Sequence, residues 1–364
     1  MKNSIMMVAA AILFFAACNK VESEAPVEME LAASSKIIVN LETAAAGTKV
    51  ANATDANEQK VNNVQVYVFR NHGGEASANE IDGSKHFATA ESTGYSVDCT
   101  VGDRKVYVVV NANDGAKDVK EVTNEQQLLD RVTNLGENSP SKLLMIGKKD
   151  VKTTASFETT IQVYRMVAAV VVDKVNVNFS SPALQESGTL VITDMYLANV
   201  TGRNNYANTT NWSALESAYW FNQLGTDAAR SACPETVKAL TQESGLSISL
   251  KHGQCTEDGQ THTFYCFPNN CTHAEGAPFT QRATKLVVKA TLNGKTYYYP
   301  CDLSRANNQG DTIYDLKANY KYHLTLNINR PGSEDPDSPV VISASTFQIK
   351  VEDWTSGQTY NFSI

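Results

Sequence analysis

The sequence predicts a mainly all-β fold, built as two tandem antiparallel domains with a few short helices, and three observations carry that reading. Composition is the first: the 364-residue chain is rich in Val, Thr, Asn, Tyr and Ala, and only 19% of it is charged. Its short apolar runs are broken by Asn, Gly and Asp, the usage expected of half-buried pleated strands. Periodicity is the second: several segments alternate apolar and polar residues, which puts one set of side chains on each face of a strand. Length is the third: roughly 320 residues remain beyond the N-terminal leader and tether, more than one hydrophobic core usually serves, so two domains are expected.

The chain opens with one basic residue, Lys2, and an apolar run that stops at Cys18. Spanning a bilayer takes about 20 apolar residues; this run is shorter and ends in small residues, so residues 1–17 read as a signal peptide. Phe15-Ala16-Ala17-Cys18 resembles a lipobox, with Phe where that motif usually has Leu. The resemblance implies that Cys18 receives a diacylglycerol lipid and becomes the first residue after cleavage. Residues 18–35, acidic through Glu22, Glu24, Glu28 and Glu30, are expected to form a flexible lipidated tether.

Residues 36–165 are expected to be the first domain. Ile37, Val39 and Leu41 alternate along residues 36–42, as do Val64, Val66 and Val68 along residues 61–70; each segment reads as a strand with one buried face. Residues 105–110 are apolar nearly throughout, as in a strand covered on both sides, and Asn111-Ala112-Asn113-Asp114-Gly115 ends them. Thr123, with Gln126 three residues on, is placed to cap a helix whose Leu128, Leu129, Val132 and Leu135 share a face and which Gly136 stops. Strands resume over 143–147 and 156–164, and the domain junction is set near Arg165.

The second domain, 166–330, begins with strands over 166–179 and 188–200. Residues 201–280, with Trp212 and Trp220, show little periodicity and read as a long insertion with one short helix. At 285–303 Asn293-Gly294 supplies the positive φ angles of a type I′ hairpin turn, and residues 320–329 alternate again. The remaining segment, 331–364, starts with a Pro-, Gly- and acid-rich linker whose Glu334, Asp335 and Asp337 read as solvated charges. It ends in two alternating stretches: Phe347, Ile349 and Val351, then, beyond Trp354 and a Ser356-Gly357 turn, Tyr360, Phe362 and Ile364. A terminal strand on a linker can pair within its own sheet or add to a neighbour's.

Several function classes are excluded or weakened. The net charge is −8 and Lys and Arg form no stripe, so nucleic acid is not an expected partner. No HExxH, GxSxG, GxGxxG or phosphate-binding loop is present, so neither catalysis nor a cofactor is expected. With Cys18 set aside, Cys99, Cys233, Cys255, Cys266, Cys271 and Cys301 permit disulfides in an exported chain, in a connectivity the sequence does not give. His252, Cys255, His262, Cys266, Cys271 and His273 crowd one segment, but the paired spacing of a zinc site is missing, and structural cysteines are the commoner use. No metal site is expected there, nor at Asn111-Ala112-Asn113-Asp114-Gly115, which lacks the later Glu of a calcium loop.

Five segments fall in the order found in Bacteroidota fimbrillins, the FimA-like subunits of type V pili: VNNVQVYVF before Arg70, VYVVVNA at 106–112, YRMVAAVVV at 164–172, NYKYHLTLNI at 319–328 and IKVEDW at 349–354. The chain resembles that family over nearly its whole length, residues 201–280 excepted. The resemblance implies two transthyretin-like β-sandwich domains and an outer-membrane lipoprotein precursor. A processing protease would remove the N-terminal strand that carries Ile37, Val39 and Leu41, and the emptied groove would take a donor strand from another subunit. The resemblance puts the cut near Lys49-Val50; no Arg precedes Arg70, so an arginine-specific enzyme would lack its usual residue, and the expectation is a cut after Lys49 or none. The donor is expected to carry Phe347, Ile349, Val351 and Trp354, or Tyr360, Phe362 and Ile364, or both.

The sequence thus reads as a structural subunit of cell-surface fimbriae that polymerises and supports adhesion. Its expected partners are other fimbrial subunits, the outer membrane through the lipid on Cys18, and a host or bacterial surface receptor or glycan. Two rivals stay open: an anchor or tip adhesin of the same fimbrium, and a monomeric glycan-binding surface lipoprotein that uses Trp212 and Trp220.

Overall fold

β-Branched residues at alternate positions build the first sheet. The computed structural model describes residues 33–43, 57–71, 78–113, 116–210, 216–224, 233–269, 283–303, 305–306, 312–314, 316–338, 345–353 and 359–363. Its first strands are β1 (Ser34–Thr43), β2 (Val64–Arg70), β3 (Ile81–Phe87), β4 (Tyr95–Thr100), β5 (Gly102–Val110), β6 (Val132–Asn134), β7 (Met145–Thr153) and β8 (Ser156–Arg165). All but β6 join one seven-stranded sheet in the order β3-β2-β5-β7-β8-β1-β4. Ile37, Val39, Val64, Val66, Val68, Val106, Val108, Ile161 and Val163 meet in one core.

The sheet curls until its two end strands meet. A Cβ on Gly83 of β3 would fall 2.1 Å from the Asp98 carbonyl oxygen in β4, so the approach requires glycine. Beside it the buried Asp82 carboxylate accepts from Arg104 Nε at 2.7 Å and from the Thr100 amide at 2.8 Å, tying β3, β4 and β5 together. Burial alone raises the Asp82 carboxyl, but the Thr100 amide, Arg104 and the Thr100 hydroxyl hold it below its ordinary 3.8. Glu125 is buried too, and Lys105 and Tyr107 hold it below 4.5. A carboxyl depressed in the folded state stabilises the fold above its unfolded value and loses that contribution as pH falls through the folded one. Stability is therefore expected to drop as the pH is lowered beneath the ordinary carboxylate range. Urea melts at about pH 6 and about pH 3 measure the drop, and Asp82→Asn should flatten it.

β2 departs from the one-faced reading: both of its faces are buried. Val64, Val66 and Val68 line the first core, while Tyr67 and Phe69 join a second, larger core with Tyr107, Val109, Val119, Val122 and Leu128. Leu128 comes from a helix, Glu125–Leu129, that is shorter than expected. Asn124 caps it, its side chain accepting from Gln127 N at 3.0 Å; the Thr123 hydroxyl bonds the Gln127 side chain instead. The helical face does not reach Val132, because β6 spends its backbone hydrogen bonds on β12 (Arg203–Asn205).

The rest of the larger core lies between two sheets. One holds β10 (Thr189–Ala198), β14 (Gln242–Lys251), β17 (Lys285–Leu292) and β18 (Lys295–Asp302), in the order β14-β10-β17-β18. The other holds β9 (Ala168–Val177), β15 (Gln254–Cys255), β16 (His262–Cys266), β21 (Tyr320–Ile328), β22 (Ser345–Asp353) and β23 (Thr359–Ser363), in the order β15-β9-β21-β22-β23 with β16 also on β9. Short pairs, β11 (Val200–Thr201) with β13 (Trp220–Phe221) and β19 (Arg305–Ala306) with β20 (Thr312–Tyr314), complete the described strands. The all-β expectation is met. The turn at Asn293-Gly294 has φ values of 50° and 84°, as a type I′ turn requires.

Two expectations need correction. Within 201–280, β14 and β16 are integral strands of the two sheets rather than inserted loop; the polar sequence of β14 and the shortness of β16 hid them. The linker is docked through its backbone, Ser333 exchanging hydrogen bonds with Tyr298 at 2.7 and 2.9 Å, while Glu334 and Asp335 stay exposed as expected and Asp337 is partly buried. Glu334 pairs with Lys295, and Asp337 lies 3.8 Å from the buried Lys285 ammonium.

Candidate strand-exchange site

β1 is an interior strand of the first sheet, between β8 and β4. It pairs antiparallel with β4, Ile37 opposite Val97 and Val39 opposite Tyr95, and parallel with β8, Ile37 opposite Phe157 and Leu41 opposite Ile161. Both neighbours come later in the chain, so lifting β1 out cuts no other strand. Ile37 and Val39 are fully buried and Leu41 packs partly against the same core. Each such side chain gains about 1.5–3 kcal/mol from burial, which fixes the register of the strand. Further bonds seat it: Val101 N donates to the Ala33 carbonyl at 2.8 Å, Asn40 Nδ2 to Glu158 Oε1 at 2.6 Å, and the Ser35 hydroxyl to the Thr154 carbonyl. Without β1, β4 and β8 would face each other across two strand spacings, about 9.5 Å, each with a row of unpaired backbone groups.

The C-terminal segment forms a hairpin at the end of another sheet. β22 runs antiparallel to β21 with Ile349 opposite Leu324, and β23 runs antiparallel to β22 with Phe362 opposite Ile349. Ile349 is buried while Gln348 and Lys350 are exposed, the alternation also seen in β1. Among the described residues β23 is the terminal strand of this sheet, bonded to β22. The two-residue spacing of apolar residues is the same in all three segments: Ile37, Val39 and Leu41 in β1, Phe347, Ile349 and Val351 in β22, and Tyr360, Phe362 and Ile364 in the last segment.

Several sequence-predicted residues fall outside the described residues: Cys18, Lys49, Val50, Trp212, Cys271, His273, Trp354 and Ile364. Backbone register places Phe347 opposite Leu326, Val351 opposite Tyr322 and Tyr360, and Phe362 opposite Ile349. Trp220 is buried in the larger structure at β13, opposite Thr201, so it offers no ring to solvent. The His and Cys cluster is drawn apart: Cys255 pairs with Asn176 and Cys266 with Ala168 along β9, eight residues or roughly 26 Å from each other. Cys255 is exposed, Cys266 is buried with its thiol pushed up by that burial, and His262 Nδ1 is spent on Glu243 Oε2 at 2.6 Å. Among the described residues no helix is long and apolar enough to cross a membrane.

The sequence profile of the family described as major fimbrial subunit protein (FimA) matches residues 27–211, a stretch that contains β1 and the whole first sheet. Solved structures share the fold. A fimbrilin (FimA) from Porphyromonas gingivalis W83 is 16% identical, with a TM-score of 0.58 over 90% of this chain and 99% of that one. A candidate cell-adhesion protein from Bacteroides eggerthii DSM 20697 is 18% identical, with a TM-score of 0.58 over 89% and 96%. Another, from Parabacteroides distasonis ATCC 8503, is 16% identical, with a TM-score of 0.59 over 89% and 99%. No curated protein matches the sequence.

Proposed function

This chain belongs to the FimA family of major fimbrial subunits, and we propose that it is a surface fimbrial subunit that polymerises by protease-triggered donor-strand exchange and supports adhesion. The observation that carries the reading is the place of β1: an interior strand joined to the body at one end only, by residues 44–63, which include Lys49-Val50. A precursor held at the outer membrane by lipid on Cys18 would lose β1 when a protease cuts there. Each backbone group then left buried and unpaired costs about 1–3 kcal/mol, so the opened groove is strongly driven to accept another strand. β22 or β23 of a second copy supplies one, with apolar side chains at the spacing of Ile37, Val39 and Leu41. The family is one of structural subunits rather than enzymes.

Protein beginning at Asn19, treated with trypsin-like protease and run unboiled on a denaturing gel, is expected to give a ladder of oligomers. The same protein truncated after Pro339 should give none. A single monomer band from the full chain, with β1 shown by N-terminal sequencing to be gone, would overturn polymerisation. Protein that keeps β1 under protease would point instead to an anchor subunit, which retains its lipid.

A further inference from the structure

Just beyond β1 a buried carboxylate fastens the chain to the second half of the fold. Glu58 is 2% exposed. Its Oε1 accepts from the Tyr265 hydroxyl at 2.7 Å, its Oε2 lies 2.7 Å from Lys321 Nζ, and its main-chain carbonyl accepts from Arg165 Nε at 3.3 Å. Tyr265 lies in β16 and Lys321 in β21, the strands on either side of β9, and both are register partners of the same residue, Ala169. Residues opposite one another across a ladder share a face. At this level of the sheet a phenol and an ammonium therefore flank a methyl group, and the short alanine leaves a recess between them. The Glu58 carboxylate meets both flanking groups, the Tyr265 hydroxyl and the Lys321 ammonium.

These partners restrict the segment to one position. A buried carboxylate with one partner missing is poorly tolerated, and only in the recess does Glu58 meet phenol and ammonium together. An apolar plug would slide; a charge bonded on two sides does not. The residues from 50 to the start of β2 at Val64 would extend about 46 Å, longer than β1 itself. Unfastened, a segment of that length would be long enough to enter the space β1 leaves.

We propose that Glu58 is a positioning residue for strand exchange: the recess over Ala169 holds the chain end created by cleavage against the second sandwich, out of the groove that the incoming strand must enter. This rests on the reading that β1 is removed by a cut ahead of Glu58. Two variants test it. Glu58→Gln keeps the shape and removes the charge that Lys321 meets, and Ala169→Leu fills the recess without removing any charge. In the full protein, cut once to remove β1, both are expected to be cleaved again after Lys60 at least tenfold faster than the unaltered protein. N-terminal sequencing reads that second cut as a chain starting at Val61. Ladder growth should slow by a similar factor, with circular dichroism confirming that the body stays folded. If Glu58→Gln does not fold, Ala169→Leu carries the test alone. Folded variants that protect Lys60 and build ladders at the unaltered rate overturn the role of Glu58 and leave strand exchange standing. An unaltered protein that makes no ladder removes strand exchange, and this inference with it.

Discussion

A protein carrying Ile38→Cys and Ser96→Cys is expected to remain monomeric after cleavage for as long as the introduced disulfide is intact, and to build a ladder once it is reduced. Ile38 in β1 lies directly opposite Ser96 in β4. Opposed residues of an antiparallel pair have Cα atoms about 4.5–5.5 Å apart, within the roughly 4.4–6.8 Å that a disulfide spans. Neither side chain is fully buried, so the core that Ile37 and Val39 fill is left as it is. The bond leaves the protease site untouched and removes only the freedom of β1 to depart. The effect is all or none: cleavage proceeds in both samples, and reductant alone decides whether subunits join. Unaltered protein with and without reductant controls for the exposed Cys255. Equal ladders from the oxidised and reduced double-cysteine protein would show that subunits join at a sheet edge while β1 stays in place.

What the sequence disclosed and what it hid divide along physical lines. Local signals survive translation into structure: Asn293-Gly294 specifies its turn because the positive φ angles are a property of two adjacent residues, and β21 and β22 show their buried faces through period-two alternation. β3 was invisible because its sequence, IDGSKHF, serves a seam: Asp82 bonds across it and Gly83 permits the close approach, so the apolar marks of a strand are absent. The interior place of β1 was equally hidden, since alternation around Ile37 shows a buried face but not which strands lie beside it. Its parallel partner β8 lies far along the chain, and parallel pairing leaves no turn to read. Glu58 is the extreme case: its bond to Tyr265 spans 207 residues, and a lone glutamate ahead of Lys60 looks like any surface charge. The linker misled for a related reason. Glu334 is as exposed as its composition suggests, but Asp337 is partly buried, because only the fold brings Lys285 to meet it.

Arg104→Met is expected to destabilise the protein by about 3–5 kcal/mol, the usual cost of removing one partner from a buried ion pair. The Arg104 and Asp82 side chains are 1% and 2% exposed. Besides Asp82, the guanidinium donates to the Asp103 carbonyl at 2.7 Å, the Val101 carbonyl at 3.1 Å and the Thr100 hydroxyl. Methionine fills much of the space and answers none of these acceptors. Asp82 then keeps a buried charge with only Thr100 and the half-exposed Arg70, 3.4 Å away, to offset it. The melting temperature should fall by on the order of 10 °C. Adding Asp82→Leu should recover most of the loss, because the penalty lies in the stranded charge rather than in the missing attraction. The consequence reaches the groove, since β4 is both the far side of this seam and one wall of the slot that β1 leaves. A loosened seam lets β4 swing toward β8, so the single variant should also build shorter ladders at temperatures where it is still folded, and the double variant should restore them. A loss below about 1 kcal/mol for Arg104→Met in urea melts would mean that the seam is held by Gly83 and its backbone contacts alone. The wall of the groove would then owe its position to packing rather than to the buried ion pair.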